Sequence, residues 1–356
     1  MIEVFKNVNI DWLANRRVFI AISVLLMLAG LGSAVFRQSA HPNGTDAFNL
    51  GVDFKGGTVV TVRFKQRPTA EAIRDALSAS GVSDAVIQPV IDKPDTALIK
   101  LPLSGPSGAE SQEQIDLGRA RVKTGLNQFG AEKDAYEIIG TDAVGAVAGA
   151  QLRNKAIAVT LAALVGILVY MAYRFEWTYG IAAVVAVFHD VLVTLGFFSI
   201  FQWEISLTVI AALLTLVGFS VNDTIVVFDR IRENRRLHRR ESLYKITNDA
   251  VNQTLSRTAI TNGLVFLSVL AMVLFGGEVL RGFSLALLIG VIFGTYSSVA
   301  IASPIMVWWE QRLDAQEKTS AAAISQAQES KRAAKAGARA TLSSGTATQS
   351  RGASRS

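Results

Sequence analysis

The sequence contains no cysteine and only three histidines among its 356 residues. A chain without cysteine cannot form a disulfide scaffold, a thiolate zinc site, an iron–sulfur cluster or a cysteine nucleophile. Three scattered histidines also argue against a histidine-rich metal centre. We therefore expect neither a metal ion nor a cofactor in this protein.

Charged residues are scarce at 18% of the chain, whereas hydrophobic residues make up 50% and gather into long runs. A membrane-spanning helix needs about 20 mostly apolar residues, and six runs are long enough: 18–36, 156–173, 177–203, 205–228, 258–277 and 282–309. The first run is too long for a signal peptide and lacks a convincing cleavage site, so we expect it to be retained. The sequence predicts a multi-pass α-helical membrane protein with six spans.

The distribution of basic residues predicts how these spans are oriented. Residues 229–257 contain eight basic and four acidic side chains, and residues 311–356 contain eight and three, whereas residues 37–150 contain twelve and fourteen. Because short basic loops stay in the cytoplasm, the N-terminus (1–17), the loop 229–257 and the tail from residue 310 are predicted to be cytoplasmic. The basic loop is expected to contact lipid headgroups rather than nucleic acid. The tail has few large apolar residues, so a short helix running into disorder is predicted.

Residues 37–155 are predicted to form one periplasmic domain between the first two spans. Its predicted elements are a strand at 58–64, a helix at 69–80, strands at 85–91 and 96–101, a helix at 111–129 and a strand at 135–141. This β-α-β-β-α-β order is typical of a small ferredoxin-like α+β domain.

A glycine-rich motif, Gly-Val-Asp-Phe-Lys-Gly-Gly, precedes the first strand and contains Gly51, Asp53, Gly56 and Gly57. Glycines this close together permit tight backbone turns. A phosphate-binding loop would lead into a helix, and here a strand follows. The motif therefore favours a structural turn at the exit from the membrane over a nucleotide site.

Ionisable side chains inside the predicted spans are the strongest candidates for function, because a carboxylate at the bilayer centre costs about 2.5–3.5 kcal/mol on insertion scales. Asp223 and Arg257 enter the membrane from the same side on consecutive spans, so we predict an ion pair between them. Thr261 lies one turn deeper than Arg257. The alternative is a static pair that only holds two helices together.

Four further polar residues are secondary candidates: His189, Asp190, Asn222 and Asp229. His189 is equally consistent with a packing role. Asp229 lies among arginines at the membrane boundary, where a solvated helix end that pairs with a neighbour such as Arg232 is the favoured interpretation.

Residues 218–234 (GFSVNDTIVVFDRIREN) resemble the fourth-helix signature of the SecF family, accessory subunits of the Sec translocase. The glycine-rich motif, the His189-Asp190 pair and residues 255–261 (LSRTAIT) agree with the same family, and the resemblance extends over about residues 5–309. The chain departs from the family at residues 144–149 (VGAVAG), where a Val-Gly-Pro-x-Val-Gly run is usual.

The resemblance implies a protein that is not an enzyme and whose six helices form one half of an RND-like membrane fold. Such a subunit would work with SecD and the SecYEG channel, and would use the proton-motive force to promote translocation of preproteins across the bacterial inner membrane. The family's proton relay corresponds to Asp223, Arg257 and Thr261 in this sequence.

Two alternatives belong to other functional classes. An RND-type small-molecule exporter would normally have a duplicated twelve-helix chain with larger domains outside the membrane. An intramembrane enzyme could pair Asp190 with Asp223, but neither residue lies in a Gly-Leu-Gly-Asp context.

Overall fold

The computed structural model describes residues 9–40, 47–82, 85–90, 93–103, 111–132, 134–175 and 177–349. Two compact units are distinguished, Met1–Ile305 and Met306–Ser356. Within the described residues, six helices are long and apolar enough to cross a membrane: Arg16–Ala40, Val147–Arg174, Trp177–Phe201, Leu207–Leu237, Leu243–Phe275 and Leu280–Gln326. The six predicted spans are thereby confirmed.

An α+β domain follows the first membrane helix. The elements in order are α1 (Arg16–Ala40), α2 (Val52–Lys55), β1 (Gly57–Phe64), α3 (Ala70–Ala79), β2 (Val86–Pro89), β3 (Thr96–Leu101), α4 (Ser111–Leu126) and β4 (Tyr136–Val144). The four strands are antiparallel in the order β2-β3-β1-β4. This topology confirms the predicted ferredoxin-like domain.

The core of this domain lies between the sheet and the two helices α3 and α4. Alternate residues of β1 point inwards, as the period of a strand requires, and Val60, Val62 and Phe64 are at most 2% exposed. Leu77 of α3 and Leu126 of α4 cover them. Thr69 caps α3 by accepting a hydrogen bond from the amide of Ala72 at 3.2 Å.

The remaining helices form the membrane part of the chain. They are α5 (Ala146–Arg174), α6 (Trp177–Phe201), α7 (Leu207–Leu237), α8 (Leu243–Phe275), α9 (Gly277–Ser297), a π-helical turn (Ser298–Ala302) and α10 (Ser303–Gln349). Several extend beyond the predicted spans, because hydropathy detects only the apolar part of a helix whose polar ends continue it. The domain predicted to end at residue 155 accordingly gives way to α5 at Ala146.

The predicted basic loop at 229–257 is mostly helical. α7 continues to Leu237 and α8 begins at Leu243, so only residues 238–242 connect them. Gln253 of α8 ties the two helices together, because its Oε1 accepts hydrogen bonds from Arg230 Nε at 2.6 Å and from Asn234 Nδ2 at 2.9 Å. Arginine and glutamate are good helix formers, which explains why the charged segment continues the helices.

The tail also differs from the prediction of a short helix followed by disorder, since α10 extends to Gln349. Its sequence is rich in Ala, Gln, Lys and Arg, which have high helix propensity even where they cannot bury a core. A composition that excludes a packed core therefore does not exclude a helix.

Residues 9–15 are bound to the first half of α8 by amide side chains. Asn248 Oδ1 accepts a hydrogen bond from the backbone amide of Trp12 at 2.9 Å, and Asn252 Oδ1 accepts one from its indole Nε1 at 3.0 Å. Tyr244 donates to Asp11 Oδ1 at 2.6 Å. The chain preceding α1 is thereby fixed to α8.

The enclosed core predicts that a fragment of residues 47–145 folds without the membrane helices. Leu77 is fully buried, so Leu77→Ala should lower the free energy of unfolding of this fragment by about 2–5 kcal/mol. Ser78→Ala, at the exposed neighbouring position, is the control and should change it by less than about 0.5 kcal/mol. Urea denaturation followed by circular dichroism measures both. A fragment without a cooperative transition would contradict an independent core.

Candidate functional site

Polar side chains of α6, α7, α8 and α9 meet inside an otherwise apolar group of helices. The following are all less than 9% exposed: His189, Asp190, Ser220, Asp223, Thr224, Asn262, Ser297 and Ser298. Buried polar groups require hydrogen-bond partners, and in a membrane interior only other protein groups can supply them. Helices α7, α8 and α9 contribute donors to their neighbours here, and α6 contributes the acceptor Asp190.

Asp223 of α7 is 3% exposed and contacts α8 through Asn262. The Nδ2 of Asn262 donates a hydrogen bond to Asp223 Oδ2 and, with its second proton, to Thr295 Oγ1 of α9 at 2.6 Å. One amide thus connects the carboxyl group of α7 with both α8 and α9.

Asp190 of α6 is completely buried and has three donors. Its Oδ2 accepts hydrogen bonds from Ser220 Oγ at 2.6 Å and from Ser297 Oγ at 2.7 Å, while its Oδ1 lies 2.9 Å from His189 Nδ1. This donor set suits a carboxylate.

The two ring nitrogens of His189 differ in their hydrogen bonding. Its Nδ1 faces Asp190, whereas its Nε2 is buried and has no hydrogen-bond partner in the part of the chain that the structure describes. A neutral imidazole that carries its proton on Nδ1 fits this arrangement, since Nε2 is then an acceptor rather than an unpaired donor.

The π-helical turn at Ser298–Ala302 adjoins this group of polar residues. Thr224 Oγ1 of α7 lies 2.9 Å from Ser298 Oγ, and Ser303 Oγ donates to the carbonyl of Ser298 at 2.9 Å. π-helical turns interrupt the regular helical pattern and are frequent at functional sites.

The predicted ion pair between Asp223 and Arg257 is not formed within the described residues. Asn262 takes the position next to Asp223, whereas Arg257 lies on the exposed side of α8. Arg257 and Asn262 are five positions apart on α8, which corresponds to about 7.5 Å along the helix and about 140° around its axis. The rotation of α8 about its axis therefore turns Asn262, and not Arg257, towards Asp223.

Arg257 instead lines a cavity of about 690 Å³ with Arg174, Asp229 and other residues at the junction of α5, α7 and α8. Asp229 is exposed and its Oδ1 lies 3.8 Å from Arg174 Nη2 of α5. The predicted pairing of Asp229 with a neighbour on its own helix is therefore corrected to a pairing across helices.

The other predicted site residues have more local environments. Thr261 is exposed and donates to the carbonyl of Arg257 on its own helix at 3.0 Å. Asn222 is also exposed, on the face of α7 away from Asp223. Among the described residues Asn222 makes no hydrogen bond to the buried polar group, whereas Thr261 Oγ1 lies 3.4 Å from Asn262 Oδ1, a member of that group.

The glycine-rich motif forms a turn, in agreement with its sequence interpretation. It contains the four-residue helix α2 and then enters β1 through Gly56 and Gly57, whose φ angles are 78° and 141°. At Gly57 a Cβ would lie 2.4 Å from the carbonyl oxygen of Leu101, so this position excludes a side chain.

The structure adds residues that sequence reasoning missed: Asn262, Thr295, Ser297 and Ser298. Asn262 directly follows Thr261, the last residue of the recognised segment, and an asparagine within an apolar helix is itself a signal. The serines and the threonine gave little signal, because small hydroxylated residues are common in membrane helices and bond to their own backbone.

No group of three or more His, Asp or Glu residues converges within the described part of the chain in a way that would hold a metal ion. The arrangement can instead hold and exchange protons, since two carboxyl groups and an imidazole lie among hydroxyl and amide groups. Fold and site together define a multi-pass membrane protein with buried ionisable groups and one α+β domain.

Comparison with known families identifies the chain more closely. Residues 125–312 match the family model described as protein export membrane protein SecD/SecF, C-terminal, and residues 44–66 match the SecD/SecF GG motif. The first match covers more than half of the chain. The second contains the glycine-rich motif described above.

Curated relatives agree with these matches. The protein translocase subunit SecF of Koribacter versatilis is 41% identical, over 87% of this chain and 94% of the relative. The SecF subunit of Pseudomonas aeruginosa is 37% identical over 84% of this chain and 91% of its own length. SecDF of Thermus thermophilus is 38% identical over 85% of this chain, which corresponds to 39% of SecDF.

The fold agrees with a solved structure as well. The crystal structure of SecDF from Thermus thermophilus, titled a translocon-associated membrane protein, is similar with a TM-score of 0.70 and 35% identity. The match covers 86% of this chain and 39% of that one. The chain belongs to the SecD/SecF family of protein export membrane proteins, on the SecF side of that family.

The contacts of Asn262 predict that Asn262→Ala destabilises the membrane part, because Asp223 loses its donor in a buried environment. An unsatisfied buried polar group costs about 1–3 kcal/mol, and the melting temperature of the purified protein in detergent should fall accordingly. The control is Ser268→Ala on the same helix, whose hydroxyl donates to the carbonyl of Leu264 and to no other group among the described residues. Equal melting temperatures for the two variants would contradict the assigned contact.

Proposed function

We propose that this chain is a SecF subunit that acts with SecD in the bacterial inner membrane and uses the proton-motive force to promote preprotein translocation through the SecYEG channel. The observation that carries the proposal is the buried carboxyl group of Asp223, held between α7, α8 and α9 in a chain of the SecD/SecF family. The names of the relatives, SecF and SecDF, support the association with SecD.

The proposed chemical step is the reversible protonation of Asp223. A proton that arrives from one side of the membrane converts the carboxylate into a neutral acid, and its release to the other side restores the charge. Asn262 suits both states, because its Nδ2 donates to the carboxylate and its Oδ1, after rotation of the amide, accepts from the acid. Such a rotation would also change the contact with Thr295, and with it the packing of α9.

The energy available matches a conformational change of this kind. One proton crossing a membrane potential of 100 mV releases about 2.3 kcal/mol. A two-state equilibrium that is biased by one or two kcal/mol can be reversed by that amount.

Arg257 and Thr261 are proposed to complete the relay together with a second chain. A guanidinium on the exposed side of a membrane helix is expensive in lipid, so it is expected to face water or protein. The cavity that Arg257 lines with Arg174 and Asp229 supports a hydrated position at the end of the relay. We propose that SecD covers the exposed side of α8, and that His189, Asp190, Asn222 and Asp229 are secondary sites.

We further propose that the protein has no catalytic activity. Asp190 and Asp223 are bonded to different groups, hydroxyls and an imidazole in one case and an amide in the other. An aspartyl enzyme would require two carboxyl groups that share one proton or one water molecule.

In the proposed orientation, residues 37–155 lie in the periplasm and both termini lie in the cytoplasm. The basic loop at 229–257 also lies on the cytoplasmic side, where it contacts lipid headgroups. The basic ends of α7 and α8, around residues 230–245, support this orientation through the positive-inside rule. The α+β domain would then lie where an emerging preprotein can be reached.

Asp223→Asn should abolish the gradient-stimulated part of export, because the amide keeps the shape of the side chain and removes the proton site. Arg257→Lys should reduce it too, since lysine lacks the planar fork of arginine. Export into inverted membrane vesicles, with and without a proton gradient, measures the effect, and subunit levels and SecD association are quantified alongside.

Asp75→Asn on α3 is the matched control, since it makes the same chemical change at an exposed position outside the membrane helices, and it should retain full stimulation. Asp229→Asn, at a proposed secondary site, should reduce the stimulation less than Asp223→Asn does. If Asp223→Asn keeps full stimulation, Asp223 is a structural contact between helices and the assignment of the relay is wrong.

The orientation has a separate test that uses the absence of cysteine in the chain. In intact spheroplasts, an impermeant maleimide should label Gln112→Cys in α4 but label Arg239→Cys between α7 and α8 only after permeabilisation. Both positions are exposed. The reverse labelling pattern would invert the topology and remove the proposed periplasmic role of the domain.

A further inference from the structure

The glycine-rich motif does more than turn the chain, because it is bonded to the connection between α6 and α7. Leu50 and Ile205 form an isolated parallel β-bridge. The amide of Ile205 donates to the carbonyl of Asn49 at 2.8 Å, and the amide of Gly51 donates to the carbonyl of Ile205 at 2.8 Å. The backbone that leads into the α+β domain is therefore paired with the backbone that leads into α7.

Asp53 caps the start of α7 from outside that helix. Its Oδ2 accepts a hydrogen bond from the amide of Leu207, the first residue of α7, at 2.8 Å. Ser206, the residue before the helix, makes no side-chain cap of its own. A carboxylate at a helix N-terminus satisfies a free amide and interacts favourably with the helix dipole.

Phe54 provides an apolar anchor next to this cap. It is 4% exposed and lies in a cluster with Phe198 of α6, Val209 of α7 and Ala286 of α9. The side chain following Asp53 is thus buried among the same helices that carry the polar site. Because the ring is almost completely enclosed by protein, this attachment is more extensive than a surface contact.

The sheet adds a second attachment to the same connection. Glu204, two residues before Ser206, forms an ion pair with Lys100 of β3, and Gln88 of β2 contacts the same Oε2 at 3.4 Å. Both charged side chains are partly shielded, with 18% and 22% of their surfaces exposed. Gly51 leaves room for Glu204, because a Cβ there would lie 2.6 Å from its Oε1.

We propose that these contacts form a clamp that joins the α+β domain and the first turn of α7 into one rigid body, with Asp53 as its positioning residue. The clamp consists of the Leu50–Ile205 bridge, the Asp53 cap, the Phe54 anchor and the Lys100–Glu204 pair. α7 carries Asp223 sixteen residues beyond Leu207, a distance of about 24 Å along a helix. A displacement of α7 that accompanies protonation of Asp223 is then delivered directly to the domain.

Two features indicate that the contacts of the clamp stay formed throughout the working cycle, so that it acts as a permanent joint. It combines backbone pairing, a helix cap and a buried aromatic ring, so opening it would expose all three at once. The glycines at 56 and 57 then lead straight into β1, a strand with neighbours on both sides, so the clamp continues into the sheet. The existence of the clamp does not depend on the proposed function, whereas its role in coupling rests on that function.

Hydrogen exchange of the full-length protein tests the clamp itself. Asp53→Ala should accelerate exchange of the first amides of α7, residues 207–209, by about five-fold, the expected effect of losing a helix cap. Asp53→Asn keeps a carbonyl acceptor and should remain close to the unmodified protein. Asp75→Ala, an exposed position on α3, controls for the loss of a charge from the domain. Unchanged exchange in Asp53→Ala would overturn the cap.

Export into vesicles tests the coupling. Asp53→Ala should reduce the ratio of export with a proton gradient to export without one by at least about two-fold at normal subunit levels, and Asp53→Asn should restore most of it. Lys100→Cys/Glu204→Cys, joined by a short bis-maleimide, should retain its gradient stimulation after linkage, because a permanent joint need not open.

The possible failures are distinguishable. Full stimulation in Asp53→Ala, or loss of stimulation on cross-linking, would overturn the role of the clamp as a rigid joint. Full stimulation in Asp223→Asn would overturn the proposed proton step instead, and would leave the hydrogen-exchange result of Asp53→Ala unaffected.

Discussion

The need to hydrogen-bond buried carboxyl groups inside a membrane determines how the four central helices are arranged. Because lipid offers no donors, the hydrogen bonds of Asp190 and Asp223 come from other protein groups, most of them on neighbouring helices. Ser220 and Ser297 donate hydrogen bonds to Asp190, and Asn262 donates one to Asp223. The mutual orientation of α6, α7, α8 and α9 provides hydrogen bonds to both carboxyl groups at once. A change of charge at either carboxyl group would therefore alter the contacts between several helices.

This arrangement places the polar centre at the crossing of α7 with α9, beside a π-helical turn. Thr295, Ser297 and Ser298 reach it from a single helical turn at the end of α9. Polar contacts of this kind between membrane helices are individually modest. Modest contacts suit a helix that has to change partners during a cycle, as the proposed proton step requires of α9.

The α+β domain and the helix bundle meet through a short segment that serves both. Its glycines admit the close approach of backbone and of Glu204, its aspartate caps a membrane helix, and its phenylalanine is buried among membrane helices. A sequence motif that looks like a simple turn therefore gains its specific composition from three different contacts. Asp53 and Phe54 would have no obvious purpose in a free loop.

Much of this protein followed from the sequence alone, because hydropathy and residue periodicity are local properties. The six spans and the β-α-β-β-α-β order of the domain were predicted from such patterns, the family was predicted from the resemblance of four sequence motifs, and all three were confirmed. The hydrogen-bond partner of Asp223 was not predicted correctly. Depth in the membrane can be counted along the chain, but the rotation of a helix about its axis cannot. Packing against α7 and α9 turns Asn262 inwards and Arg257 outwards. For the same reason only the tertiary structure shows that Asp53 caps α7, because the two residues in contact are separated by more than 150 positions in the chain.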